Sequence, residues 1–165
     1  MHVMSHGSGQ GVQEWRVLLV DRDACLTTVL EMPLRKAGFS VSTAGTAGEA
    51  AYLFQQSTPN AVVLDPFLPD SKANELFPKL GRALQAGPAR PVLVLMSSLD
   101  DQDTTRRSGL TGDRFLAKPF DPWDLVRTLN ELLESTWATW QDERPSRTHS
   151  PGRAHSRRKK PCCDS

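Results

Sequence analysis

The fold is decided by residues 17–23, which read VLLVDRD. Four consecutive apolar residues that end on an acidic one are typical of a short strand buried on both faces, as in a parallel sheet. The same pattern returns at residues 61–65, AVVLD, at residues 92–97, VLVLMS, and at residues 115–118, FLAK. These segments therefore predict buried strands that each deliver a polar side chain at the carboxyl end.

Helical patterns separate these strands. Residues 23–37 carry an apolar stripe at helical spacing, and residues 46–56 open with the capping box TAGE. Residues 39–44 alternate like an edge strand, while helices are expected at about 72–86 and from 121 to about 136, with one more turn through Trp137 and Trp140 as the alternative. Strands that alternate with helices need crossover connections. The sequence thus predicts an α/β fold with a doubly wound, five-stranded parallel sheet.

Length and charge divide the chain of 165 residues into one domain and two flanks. Residues 1–13 predict a flexible lead, and residues 14–136 predict the domain, in which the polar segment 100–109 favours only a short helix. Residues 141–165 hold 7 basic against 3 acidic residues and predict a basic, disordered tail. Its charges are interpreted as solvated, with nucleic-acid contact as the alternative.

No apolar run long enough to span a membrane and no signal peptide is present in the sequence. We therefore expect no membrane contact and a cytoplasmic location.

Charged residues follow three of the predicted strands. Asp21 and Asp23 follow the first strand, Asp65 follows the third, and Lys118 follows the fifth. Because the carboxyl ends of parallel strands meet at one sheet edge, these side chains should converge in one crevice. Carboxylates beside an ammonium group are typical of sites that bind metal ions or transfer phosphoryl groups.

Three motifs resemble those of receiver domains of two-component response regulators. They are LLVDRD at residues 18–23, LDPFLPD at 64–70 and FLAKPF at 115–120, in the family's order and with its intervals. The resemblance covers roughly residues 15–136 and implies the flavodoxin-like topology of that family.

The resemblance also implies roles for single residues. Asp65 would accept a phosphoryl group from the phosphohistidine of a histidine kinase or phosphotransfer protein, and Lys118 would contact a phosphoryl oxygen. Asp21 would help to hold Mg²⁺, which neutralises charge during transfer. Phe115 occupies the family's aromatic switch position on the fifth strand.

Two departures from the family pattern bear on this site. Arg22 stands where the family has a second acidic Mg²⁺ ligand, and a guanidinium cannot coordinate a cation. Asp23 is then either a substitute ligand or only a helix cap. A cation about 4 Å from Asp65 gains ~4 kcal/mol at an effective dielectric of 20, so Arg22 could take the metal's electrostatic place. The family also has a Ser or Thr hydroxyl after the fourth strand. Counting back from Lys118 places that position at Met96, which has no hydroxyl, and a shift of one residue places it at Ser97.

The leading interpretation is a stand-alone receiver domain, not an enzyme, that signals to an unknown output protein by phosphorylation-dependent binding. One alternative is a pseudo-receiver, in which Arg22 holds Asp65 in an ion pair and binding needs no phosphate. Another is a phosphohydrolase similar to haloacid dehalogenases that uses Asp21 and Asp23 as nucleophile and acid. All four histidines lie in the flanks, so the phosphoryl donor is expected to be another protein.

Overall fold

The computed structural model describes residues 14–69, 73–84, 90–98 and 111–142. Strands and helices alternate along most of these ranges. In chain order they are β1 (Arg16–Val20), α1 (Ala24–Lys36), β2 (Ser40–Ala44), α2 (Ala47–Ser57), β3 (Ala61–Leu64), α3 (Ala73–Leu84), β4 (Val92–Ser98), β5 (Arg114–Lys118) and α4 (Pro122–Asp142).

The strands form one parallel sheet in the order β2-β1-β3-β4-β5. This arrangement confirms the predicted doubly wound sheet and its flavodoxin-like topology. The strand order reverses beside β1, so the carboxyl ends of β1 and β3 flank the crevice where such folds bind ligands. Val20 is in register with Leu64, which brings the residues that follow these two strands next to each other.

Helices cover both faces of the sheet, because successive strand residues point to opposite sides. Val17 and Leu19 join the core layer beneath α1 and α4, whereas Leu18 and Val20 join the layer beneath α2 and α3. All four of these side chains are buried. The two layers explain why the strands read as continuous apolar runs rather than as alternating ones.

Two elements extend further than the sequence predicts. Strand β4 continues to Ser98, and α4 continues past residue 136 to Asp142, in agreement with the alternative of a further turn through Trp137 and Trp140. The extended part of α4 makes an aromatic contact: Trp137 meets Trp15 edge-on, with ring centroids 5.8 Å apart and an interplanar angle of 88°. This contact ties the last turns of α4 to the start of β1.

The predicted lead at 1–13, the short helix expected at 100–109 and nearly all of the predicted basic tail lie outside the described residues. Among the helices of the described ranges, none is both long and apolar enough to cross a membrane.

An ion pair joins β5 to β4 at the end of the sheet opposite the crevice. The Asp113 carboxylate accepts two hydrogen bonds from the Arg90 guanidinium, at 2.6 and 3.0 Å, and one from the Leu93 backbone N–H at 2.8 Å. Burial raises the pKa of Asp113, but the hydrogen bonds from Arg90 and Leu93 outweigh it, so this pKa lies below its ordinary value. The pair therefore stabilises the placement of β5.

Gly112, next to this ion pair, lies against β4. A Cβ atom on this glycine would come within 2.9 Å of Leu95 Cγ and 3.1 Å of the Leu93 carbonyl oxygen. The chain needs glycine here because the backbone of the β5 lead-in passes directly over β4.

We expect Asp113→Asn to lower the free energy of unfolding at pH 7 by about 1–3 kcal/mol, because a charged hydrogen-bonded pair is lost. The folded pKa of Asp113 is below its ordinary 3.8, so its stabilisation is complete above that pH and is lost as the pH falls through the folded value. The deficit measured by urea unfolding should therefore shrink below pH 3.8. A deficit of equal size at pH 3 and pH 7 would contradict this account. The control is Glu131→Gln, which breaks an exposed pair with Arg114 and should cost less than about 0.5 kcal/mol.

The same substitution should have opposite effects at two glycines. Gly112→Ala is expected to destabilise the domain by about 1–3 kcal/mol, because the new methyl group would overlap β4. Gly81→Ala lies inside α3, where an added Cβ would meet nothing within 4 Å, and should stabilise by about 0.5–1 kcal/mol. Thermal unfolding of both variants measures the difference, and a more stable Gly112→Ala variant would refute the close approach.

Candidate functional site

The carboxyl ends of the central strands and of β5 surround one cleft of about 360 Å³. Its lining is mostly polar and comes from four separate segments of the chain. The lining residues are Asp21, Arg22, Asp23, Asp65, Phe67, Ser97, Ser98 and Lys118. The structure thus brings together the candidate site residues that the sequence singled out, except Met96 and Phe115. Phe115 packs partly buried against the core layer beneath α2 and α3.

Lys118 is the centre of the cleft. Its Nζ lies 2.6 Å from Asp21 Oδ2 and 2.6 Å from Asp65 Oδ2. Both carboxylates are buried, with residue exposures of 2% and 7%. Burial by itself lowers the pKa of Lys118, but the hydrogen bonds and charges of the two carboxylates outweigh it, so this pKa lies above its ordinary value. Lys118 is therefore a cation at neutral pH and balances the buried negative charge.

Backbone N–H groups fix the other oxygen of each carboxylate. Asp21 Oδ1 accepts from the Asp23 N–H at 2.8 Å, and Asp65 Oδ1 accepts from the Phe67 N–H at 2.8 Å. Each aspartate thus presents one oxygen to its own turn and the other to Lys118. The two side chains are held in fixed orientations before any ligand arrives.

Phe67 is a functional contact that the sequence reasoning missed. Its backbone N–H holds the Asp65 carboxylate, and its side chain borders the cleft. An aspartate that bonds the backbone two residues on is an Asx turn, and the signal for one was present in the aspartate followed by Pro66 at the end of a strand.

Arg22 differs from its expected role. It lines the cleft and is exposed, but it makes no ion pair with Asp21 or Asp65. The cation paired with Asp65 is Lys118 and not Arg22, and the hypothesis that Arg22 takes a metal's electrostatic place in the cleft stays a prediction. The same finding removes the ion pair on which the pseudo-receiver alternative was based.

Asp23 caps α1. Its Oδ1 accepts hydrogen bonds from the Cys25 and Leu26 backbone N–H groups at 2.9 and 3.2 Å. This cap satisfies two of the N–H groups that a helix start leaves without partners. Its carboxylate is therefore engaged by the helix, although the residue borders the cleft.

The site fits Mg²⁺ with two carboxylates. Mg²⁺ commonly binds to proteins through one or two carboxylates and completes its shell with water and phosphate oxygens. Asp21 and Asp65 meet that need, but the described ranges hold no group of three or more His, Cys, Asp or Glu side chains arranged for a metal.

The two candidates for the hydroxyl after β4 lie in different places. Met96 is fully buried in the core layer beneath α1 and α4, whereas Ser97 borders the cleft. The Ser97 residue is only 1% exposed, and its Oγ has no hydrogen-bond partner within the described part of the chain. Buried polar atoms are almost always paired. An unpaired buried hydroxyl at the cleft marks a position where a ligand oxygen would gain a hydrogen bond.

Comparisons with known proteins agree with this fold. A family described as the response regulator receiver domain matches residues 17–130. Among curated proteins, the "Probable transcriptional regulatory protein TcrX" of Mycobacterium tuberculosis is 35% identical over 141 residues, which are 84% of this chain and 57% of that protein. The transcriptional regulatory protein PrrA of Mycobacterium leprae is 36% identical over 129 residues, which are 78% of this chain and 54% of that protein. The chain thus spans little more than half the length of these relatives.

Among solved structures, a response regulator receiver domain protein (CheY-like) from Methanospirillum hungatei superimposes with a TM-score of 0.62. The two are 26% identical, and the match covers 77% of this chain and 99% of that one.

Removing the central cation should destabilise the domain. In Lys118→Met the carboxylates of Asp21 and Asp65 would face each other without a counter-charge, so we expect urea unfolding at pH 7 to show a loss of about 2–3 kcal/mol. Adding Asp65→Asn should restore part of that loss, because only one carboxylate then remains. The control Lys36→Met, at the exposed end of α1, should change stability by less than about 0.5 kcal/mol. A double variant less stable than Lys118→Met alone would contradict the proposed repulsion.

Proposed function

The chain belongs to the response regulator receiver domain family of two-component systems, and from this premise we propose that it accepts a phosphoryl group on Asp65. The donor is the phosphohistidine of a histidine kinase or phosphotransfer protein. The domain is a signalling module, and its proposed output is a partner that binds the phosphorylated form.

One observation carries this proposal: a fixed, lysine-paired Asp65 shares a cleft with the unpaired Ser97 hydroxyl. An Asp65 oxygen attacks the phosphorus of the donor, so that a P–O bond forms as the P–N bond breaks. The imidazole nitrogen keeps the electron pair of the broken bond and takes up a proton. The product is an acyl phosphate on Asp65 and a neutral histidine on the donor.

The cleft supplies groups for the oxygens of the bound phosphoryl group. A lysine ammonium has three N–H donors, and Lys118 directs two of them to Asp21 and Asp65. Phosphorylation adds about −1.5 to −2 charges, which favours moving the ammonium and the Ser97 hydroxyl towards the phosphoryl oxygens. We propose that this movement is passed to Phe115 through β5, since Leu95 and Phe115 are in register across β4 and β5.

Mg²⁺ would be held by Asp21 and Asp65. When bound, it neutralises negative charge on the transferring phosphoryl group. Asp21 thus has two tasks in this proposal: it positions Lys118 in the free domain and binds the cation during transfer.

The nature of the output is a further part of the proposal. The relatives TcrX and PrrA are named as transcriptional regulatory proteins. We propose that this receiver acts in the cytoplasm and reaches its output through a bound partner. The phosphohydrolase alternative has no support from the contacts of the cleft, because the Asp23 carboxylate that would act as the acid caps α1.

Intact mass after incubation with acetyl phosphate and Mg²⁺ tests the proposal. Wild type should gain the mass of one phosphoryl group, and Asp65→Asn should gain none, because an amide oxygen is a poor nucleophile. The control Asp124→Asn, on the half-exposed side of α4, should be phosphorylated like wild type. Phosphorylation that persists in Asp65→Asn, or that maps to Asp21, would refute Asp65 as the acceptor.

A further inference from the structure

Arg22 is the charged side chain of the cleft that the contacts described above do not use. It borders the same cleft as Asp21 and Lys118, and no ion pair or hydrogen bond joins its side chain to another described residue. A guanidinium has five N–H donors arranged to bind oxyanions. With respect to the described residues, Arg22 therefore offers unused donors at a site where Lys118 already pairs with two carboxylates.

The local charge of the cleft follows from its lining. Three aspartates and two cations line it, which gives a formal charge of −1. An acidic residue at position 22 would change this to four carboxylates against one cation, a formal charge of −3. Compared with a cleft of charge −3, the cleft with Arg22 attracts divalent cations less strongly and repels anions less strongly.

We propose that Arg22 is a specificity-determining residue. Its positive charge weakens Mg²⁺ binding and favours binding of an oxyanion of the phosphate class in the cleft. The oxyanion would meet Arg22 from the turn after β1, the Ser97 hydroxyl from β4 and the Lys118 ammonium from β5. The buried, unpaired Ser97 Oγ is the independent sign that this cleft takes a ligand oxygen. The inference rests on the proposed function for its meaning in signalling, but binding can be measured without phosphoryl transfer.

Isothermal titration calorimetry on chelator-treated full chain tests the inference, with MgCl₂ and inorganic phosphate titrated separately. Arg22→Glu should bind Mg²⁺ at least about tenfold more tightly than wild type, because a repelling charge becomes an attracting one. Arg22→Gln should bind phosphate about tenfold more weakly in the absence of metal. The matched controls are Arg82→Glu and Arg82→Gln, in the last turn of α3, which is exposed and outside the cleft. They should bind both ions as wild type does.

Each result decides the inference. The inference is overturned if the Arg22 and Arg82 variants bind Mg²⁺ and phosphate with equal affinities. It is also overturned if the wild type binds no phosphate in the absence of metal. Phosphorylation by acetyl phosphate, followed by mass, keeps the proposed function separate. If Asp65 is phosphorylated while the Arg22 variants leave both affinities unchanged, only the inference fails. If the affinities shift as expected while no variant is phosphorylated on Asp65, the proposed function fails and the binding role of Arg22 stands.

Discussion

Two buried carboxylates share one edge of this sheet because the Lys118 ammonium lies between them. Like charges at such a short separation repel strongly where water is largely excluded, and burial alone already disfavours each charge. With Nζ at 2.6 Å from both Asp21 and Asp65, the ammonium offsets both costs. The ammonium thus holds the two carboxylates side by side, and in the proposed function Asp65 is the one that attacks phosphorus.

The sheet order makes this arrangement feasible. Strands β1 and β3 are neighbours, which sets Asp21 beside Asp65, but β4 separates β3 from β5. The Lys118 side chain must therefore reach across the end of β4, over a distance of about 10 Å between strand axes. The residues at that end are the serines 97 and 98, whose small side chains border the same cleft. The long stem of lysine suits this reach, and the Asp113 ion pair at the opposite end holds β5 in register.

Residues with a strong local signal were predictable from the sequence. Apolar runs that end on polar residues gave the strands, and the rule that parallel strands share a carboxyl edge placed Asp21, Asp65 and Lys118 together. The partner of Asp65 was not predictable, because sequence spacing does not reveal which of two cations, Arg22 or Lys118, reaches a carboxylate. The choice between Met96 and Ser97 likewise depended on where β4 ends, since a shift of one residue moves a side chain to the opposite face. The last turns of α4 carry a tertiary contact, Trp137 against Trp15 just before β1, which the local pattern does not encode.

The most direct test of the central claim is a crystal structure of the chain with beryllofluoride, a mimic of the phosphoryl group. We expect the beryllium to be bonded to an Asp65 oxygen, with Lys118 Nζ and Ser97 Oγ both within hydrogen-bond distance of fluorine atoms. Beryllofluoride on Asp21, or a Ser97 hydroxyl that stays without a partner beside an occupied Asp65, would contradict it.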